Sequence, residues 1–279
     1  MNQLNFKFLF FSLFFSLFFS CNRQAEKSED VHHDTDTVNK DLTPIKITAQ
    51  NVFVSLPDRK LIFKLIEENK IEYNPDLLNN PVLVSKYTLD VFKAANFGIY
   101  GSDLSIANSF GQTQESLLFL KCVNKLATQL GVSSAFNQQL FDRIQNNESN
   151  RDTTLQIISN AFAKVEELLK TSNRAAASAI ILSGCWIEGL YVSCKITENP
   201  NTESIIKAIF NHKESLENII IMLQKVNLDE KSLFILNDLK AIDNEFELVK
   251  KNKITEKQGI KNITSMITKL RQSIINSGH

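Results

Sequence analysis

Histidine and cysteine are too few and too scattered for a metal centre. Of four histidines, His32 and His33 fall in a polar N-terminal stretch and His279 ends the chain, and no pair of the four cysteines has metal-ligand spacing. His32-His33 beside Asp34 and Asp36 is the one weak divalent-ion pattern, in a stretch too polar to hold it rigidly. No Ser-His-Asp set, HExxH, phosphate loop or nucleotide fingerprint is found, so the sequence names no catalytic residue, no metal ligand and no cofactor, and the expectation is a non-enzyme. Lys and Arg together equal Asp and Glu at 31 each, which removes any general attraction to nucleic acid. Eight glycines and hardly a strand-like run after Val54 argue against a sheet.

What the chain does have in excess is phenylalanine at its start. Residues 1–21 hold eight Phe and one charge, Lys7, and from Phe8 to Ser20 only Phe, Leu and Ser occur. Those thirteen residues make about 20 Å of helix, short of a hydrocarbon core of about 30 Å. The run therefore reads as the apolar region of an export signal. It stops at Ser20-Cys21, a small residue followed by cysteine. This resembles the lipobox of bacterial lipoproteins, in which the cysteine is fatty-acylated and the signal is cut before it; an ordinary cleaved secretory signal is the alternative. The expected organisation is a signal at 1–20, a lipidated, flexible acidic tether at 21–50, and a helical bundle domain at 51–279 with a possible subdivision near 198–201.

The tether lacks apolar residues able to build a core, and from Glu26 to Asp41 it carries six acids against Lys27 and Lys40. A coil of twenty such residues reaches about 25 Å. Gln24-Ala25-Glu26 with Glu29-Asp30 resembles the surface-export signals of some Bacteroidetes lipoproteins. Asp36-Thr37-Val38 and Asp152-Thr153-Thr154 resemble the O-glycosylation sequon of that phylum. At the other end, Lys250 to His279 holds seven bases against Glu256.

Hydrophobic periodicity predicts an all-α, antiparallel multi-helix bundle with no sizeable sheet. Residues 45–54 read as extended and Ser55-Leu56-Pro57-Asp58 opens a helix ending near Asn69. A loop follows over 73–81, then a helix over 84–96 closed by Gly98. Gly98 and Gly101 are expected to bend the chain between helices, with Asp103 capping the next. Gly131 suits a C-terminal cap, 134–145 a short amphipathic helix, and Asp152 a cap for the helix with the seam Leu155, Ile158, Phe162, Val165 and Leu169. Residues 174–196 are apolar enough to cross a bilayer, but Glu188, two glycines and three serines favour a buried central helix, with Cys185, Gly189 and Ser193 as a small-residue groove. Helices follow over 202–226, interrupted near Asn211-His212, then 230–252 and 255–276. No 30-to-40-residue period recurs, which excludes a repeat solenoid. With Cys21 acylated, Cys122, Cys185 and Cys194 read as buried thiols; Cys185 and Cys194, nine apart on one helix, cannot bridge, and a pairing of either with Cys122 stays open.

Two patches depart from ordinary helix sequence: Phe97 to Leu104 (FGIYGSDL) and Gly184 to Tyr191 (GCWIEGLY). Glu188, in the middle of an apolar helix, needs a partner, for which Tyr100, a neighbour of Arg174, a lysine or free amides near Asp103 are candidates. Tyr100, Asp103, Trp186, Glu188 and Tyr191 are the candidate ligand-binding residues, a pocket with aromatic walls and carboxylates; an interhelix polar clamp is the competing reading. Together with Ser55-Leu56-Pro57 and the Asn-rich turn before Asp152, the patches resemble an uncharacterised family of helical Bacteroidetes lipoproteins over roughly 55–197. That resemblance implies compartment and fold, not a reaction. The sequence thus points to an outer-membrane, lipid-anchored binding or interaction module. Its partners are the membrane through Cys21 and either a protein or a small ligand, with an assembly factor and a cryptic enzyme as alternatives. A binder should line a pocket with Trp186, Tyr191 or Tyr100; an assembly factor should expose an apolar groove beside the basic helix near Lys250 to Lys261.

Overall fold

A computed structural model describes residues 67–147, 150–200 and 202–277. Cys21, the tether, the extended segment 45–54 and all but the last residues of the helix expected from Ser55 lie outside the described residues. Nine α-helices and no strand occur among the described residues, and they pack as an all-α bundle. In chain order they are α1 (Asp90–Ser109), α2 (Thr113–Gln129), α3 (Gln138–Gln145), α4 (Arg151–Thr171), α5 (Ala175–Ile196), α6 (Glu203–Phe210), α7 (Lys213–Lys225), α8 (Leu233–Lys250) and α9 (Glu256–Ile275). A strap of two 3-10 turns, Pro75–Leu77 and Pro81–Ser85, precedes them.

The helix stops follow local chemistry. Gly131 takes φ +69° after α2, and Val132 N–H reaches Ala127 O (2.8 Å) while Gly131 N–H reaches Thr128 O (3.1 Å), the double bond of a Schellman cap. Asn173 and Asn252 take the same left-handed position after α4 and α8. Asn is the side-chain-bearing residue that tolerates it best. Asn150, not Asp152, caps α4: its Oδ1 accepts from Thr153 N–H at 3.0 Å, and Asp152 sits in the first turn. The expected interruption at Asn211-His212 separates α6 from α7.

Apolar seams drive the packing. Ile158, Phe162, Val165 and Leu169 of α4, Ile235, Leu239, Ile242 and Phe246 of α8, and Ile260, Ile263, Ile267, Leu270 and Ile274 of α9 are all buried in one continuous core. The centre is α5, which touches α1, α4, α6, α7 and α9. By length and composition it could cross a membrane, yet almost all of it from Ser178 onward is buried against those neighbours. A helix apolar on every side is what a bundle needs at its axis.

The largest difference from the sequence reading is at Gly98 and Gly101. They do not bend the chain; α1 runs straight through both, beginning at Asp90 instead of Val84. The glycines are there for room. A Cβ on Gly98 would collide with the Ile181 carbonyl, one on Gly184 with the Ala95 carbonyl, and one on Gly101 with the Phe162 ring. The backbones of α1 and α5 therefore touch, and Ser102 Oγ donates to Cys185 O at 2.8 Å across the contact. The contact lies along Ile181, Gly184 and Cys185, a line that shares Cys185 with the expected Cys185, Gly189, Ser193 stripe and extends it one turn toward the start of α5. Ser193 instead donates to Gly189 O of its own helix. Cys122, Cys185 and Cys194 are buried and joined by no disulfide among the described residues. Burial pushes Cys122 up to about 11 and Cys194 up to about 12, so both stay protonated and unreactive.

Candidate functional site

Close contact between α1 and α5 delivers two acids to one buried spot. Asp103 from α1 and Glu188 from α5 are both 0 % exposed. Asp103 is mid-helix and caps nothing. The partner of Glu188 is Arg271 of α9, none of the expected candidates: Arg271 Nε meets Glu188 Oε2 at 2.6 Å and Nη2 meets Oε1 at 2.7 Å, a bidentate fork. Tyr191, one turn further along α5, lies under the guanidinium with its ring centroid 4.2 Å from the central carbon. Burial alone would drag the arginine down, but Glu188 outweighs it and holds Arg271 firmly charged.

The strap closes over this pair. Arg271 Nη2 also donates to Leu77 O (3.0 Å), and Asn79 N–H donates to Asp103 Oδ2 (3.1 Å). Asn79 Nδ2 reaches Tyr87 Oη and Asn96 Oδ1, and Tyr100 Oη donates to Asn80 O at 2.9 Å. Four segments distant in sequence are thus pinned through one polar cluster.

One base now faces two acids, and the count decides the protonation. Glu188 consumes the fork of Arg271. Asp103 and Glu188 come within hydrogen-bonding reach of each other, and Asp103 Oδ1 has no donor among the described residues. Burial, and then the negative Glu188, push the Asp103 carboxyl well above the usual carboxylate range, with Arg271 pulling the other way. Asp103 therefore holds its proton more firmly than an ordinary carboxyl, beside the Arg271–Glu188 fork. A second unpartnered oxygen, Asn79 Oδ1, lies beside it.

Of the five candidate residues, the fold brings Tyr100, Asp103, Glu188 and Tyr191 around this cluster. Trp186 is on the other side of α5, where its Nε1 donates to Ser215 Oγ of α7 at 3.1 Å. All five are buried, so their arrangement is that of an interhelix clamp and not an open aromatic pocket. Burial forces the phenols of Tyr100 and Tyr87 upward, out of any acid–base role near neutrality. Sequence reasoning missed Arg271, although a signal existed: Ile267, Arg271 and Ile274 step by four and three, which puts a guanidinium on the core face.

Open concavities lie elsewhere. A groove of about 850 Å³ runs between the C-terminal end of α5, α6 and the first half of α9. Its wall includes Pro200, Ile206 and Ile260, with Lys207, Lys257 and Lys261 and the acids Glu203 and Glu256 along it. Those three lysines have no ion-pair partner among the described residues, whereas Lys195 is tied to Glu198. A smaller cavity of about 430 Å³ sits between the strap and α2. Compared with known proteins, the chain matches no family model, no curated protein and no solved structure.

Proposed function

We propose that the protein is a lipid-anchored helical binding or interaction module of the cell envelope, held to the outer membrane through Cys21, whose bundle docks a partner helix. The single observation behind this reading is the groove at α5, α6 and α9. It joins apolar residues to Lys207, Lys257 and Lys261, which outnumber the acids Glu203 and Glu256 beside them, a combination that suits an amphipathic helix with acidic flanks. The clamp at Arg271 supports it indirectly, because a groove binds tightly only when its walls are already rigid. The kinship with helical Bacteroidetes lipoproteins belongs to the same proposal and supplies its compartment.

A photo-crosslinking amino acid at Ser265, an exposed position on the groove wall, tests it in intact cells. A discrete adduct is expected, lost in the variant Lys207→Glu/Lys257→Glu/Lys261→Glu; absence of any adduct removes the docking role. Metabolic palmitate labelling of the wild type, abolished by Cys21→Ala, tests the anchor independently. An assembly factor is the second reading, favoured by the position of the groove beside Lys257 and Lys261. It is the correct one if the crosslinked partner is itself a subunit of an outer-membrane complex.

A further inference from the structure

The groove at α5, α6 and α9 is charged unequally along its length. Gly259, in the first turn of α9, receives the Phe210 ring from the last turn of α6; a Cβ there would stand 3.1 Å from Phe210 Cζ. At the other end Thr202, just before α6, donates through Oγ1 to Thr197 O (3.1 Å), and Thr197 donates to the carbonyl of Cys194. The Cys194 thiol is within hydrogen-bonding reach of Thr264, further along α9. The short helix α6 therefore runs antiparallel to α9, from the level of Thr264 to that of Gly259. Lys207, in the second half of α6, thus falls at the end where Lys257 and Lys261 project from the first turns of α9, with Glu256 the acid among them. At the opposite end stand Glu203 at the start of α6 and Glu198 beyond α5, with Lys195 bound to Glu198. The α9 wall there is Thr264, Ser265 and Thr268, all uncharged. Three bases face one acid at one end, and two acids face one base at the other.

We infer that the groove seats its partner helix in one direction, parallel to α9, with an acidic N-terminal turn among Lys207, Lys257 and Lys261 and a basic C-terminal turn beside Glu203. This rests on the docking reading and adds the direction and charge order of the occupant. A helix carries partial positive charge at its N-terminus and partial negative charge at its C-terminus, so it favours acids in its first turn and bases in its last. In the parallel direction one sequence satisfies both the helix and the groove. In the reverse direction the acids would have to sit in the last turn, against the dipole of the helix that carries them. Between the charged ends Ile206 and Ile260 supply a strip for the apolar face. From Lys257 to Thr268 the α9 wall is about 18 Å long, room for roughly three turns of a partner.

Fluorescence anisotropy of the purified chain with two amphipathic peptides of about three turns provides the test. Both share one apolar face and one composition; the first has glutamates in its first turn and lysines in its last, and the second has them exchanged. The first is expected to bind at least about tenfold more tightly. The variant Lys207→Glu/Lys257→Glu/Lys261→Glu should remove that preference, and Glu203→Lys should weaken the first peptide several-fold. A photo-crosslinking amino acid at Ser265, at the acidic end, should attach to the last turn of the first peptide, as mapped by mass spectrometry. Attachment to its first turn, or equal binding of the two peptides, overturns the direction and leaves the docking reading standing. Failure of both peptides to bind overturns the charge order alone if the Ser265 adduct still forms in intact cells, and the docking reading as well if it does not. Equal binding of a version broken by central prolines overturns the helical occupant, and tighter binding to phosphatidylglycerol vesicles than to either peptide makes the groove a lipid-facing surface instead.

Discussion

Two ionic clusters hold this bundle, and they solve the same problem in different solvents. The inner one joins Asp103, Glu188 and Arg271 with no access to water. The outer one is centred on Lys213 of α7, which contacts Glu217, Asp243 at 3.1 Å and Glu247 at 2.9 Å, with Lys251, just past the end of α8, also on Glu247 at 2.9 Å and Lys250 at 4.0 Å. Three bases meet three acids there, so the formal charges balance, and although Lys213 itself is buried its partners reach solvent. Inside, one base meets two acids, and a proton must make up the difference. A dry site enforces neutrality because an uncompensated charge in low dielectric costs several kcal/mol, whereas at the surface water and salt absorb it.

Breaking the inner cluster should have the largest effect. Glu188→Leu leaves Arg271 charged and buried, and is expected to cost about 3 to 5 kcal/mol in chemical unfolding. Glu188→Gln should cost far less, because Asp103 can then release its proton and serve as the counter-ion. Adding Arg271→Met to Glu188→Leu should recover most of the loss; failure to recover would mean that the fork contributes more than it spends on desolvation. Next in size, Gly184→Ala pushes α1 from α5 and separates Asp103 from Glu188, at about 3 kcal/mol.

The outer cluster should respond weakly. Lys213→Met is expected to cost less than Glu188→Leu, because the acids it leaves behind reach water, and high salt should shrink that cost while leaving the Glu188→Leu effect intact. Equal salt sensitivity of the two would erase the contrast. The smallest effect is also the most specific. Because the Asp103 carboxyl is raised in the folded state, its stabilising proton is fully present below the ordinary carboxylate range and is lost as pH rises through the raised value. Asp103→Asn mimics the protonated acid, so its melting temperature should match wild type in mild acid and exceed it on the alkaline side. Glu247 runs the other way: hydrogen bonds from Lys213 and Lys251 lower it to about 2, so its contribution is present above the ordinary carboxylate range and disappears only as pH falls toward that value. An Asp103→Asn melting curve parallel to wild type across pH would show that Asp103 does not hold a proton in the folded state.

The elements and their inward faces were legible because helices report themselves through a 3.6-residue period. The seam of α9 is the clearest example: Ile260, Ile263, Ile267, Leu270 and Ile274 were all assigned to the core and all are buried. Gly131 was legible for a local reason too, since its cap depends on neighbours along the chain. Gly98 was misread for the opposite reason. A glycine at a turn and a glycine under a crossing helix look identical in sequence, and only Ile181, 83 residues away, tells them apart. The candidate site followed the same rule: Glu188 was recognisably in need of a partner, but Arg271 lies on a helix whose position no local signal reports.

By itself, then, the sequence determined the all-helical class, the central place of Ala175–Ile196 and the need for a counter-charge at Glu188, because periodicity and desolvation act within single helices. Which helix supplies that charge, which carboxyl keeps a proton, and where the surface opens into a groove and a smaller cavity were decided only by tertiary structure. Those properties depend on distances between segments up to 194 residues apart, such as Leu77 and Arg271. Chain order carries no record of such distances.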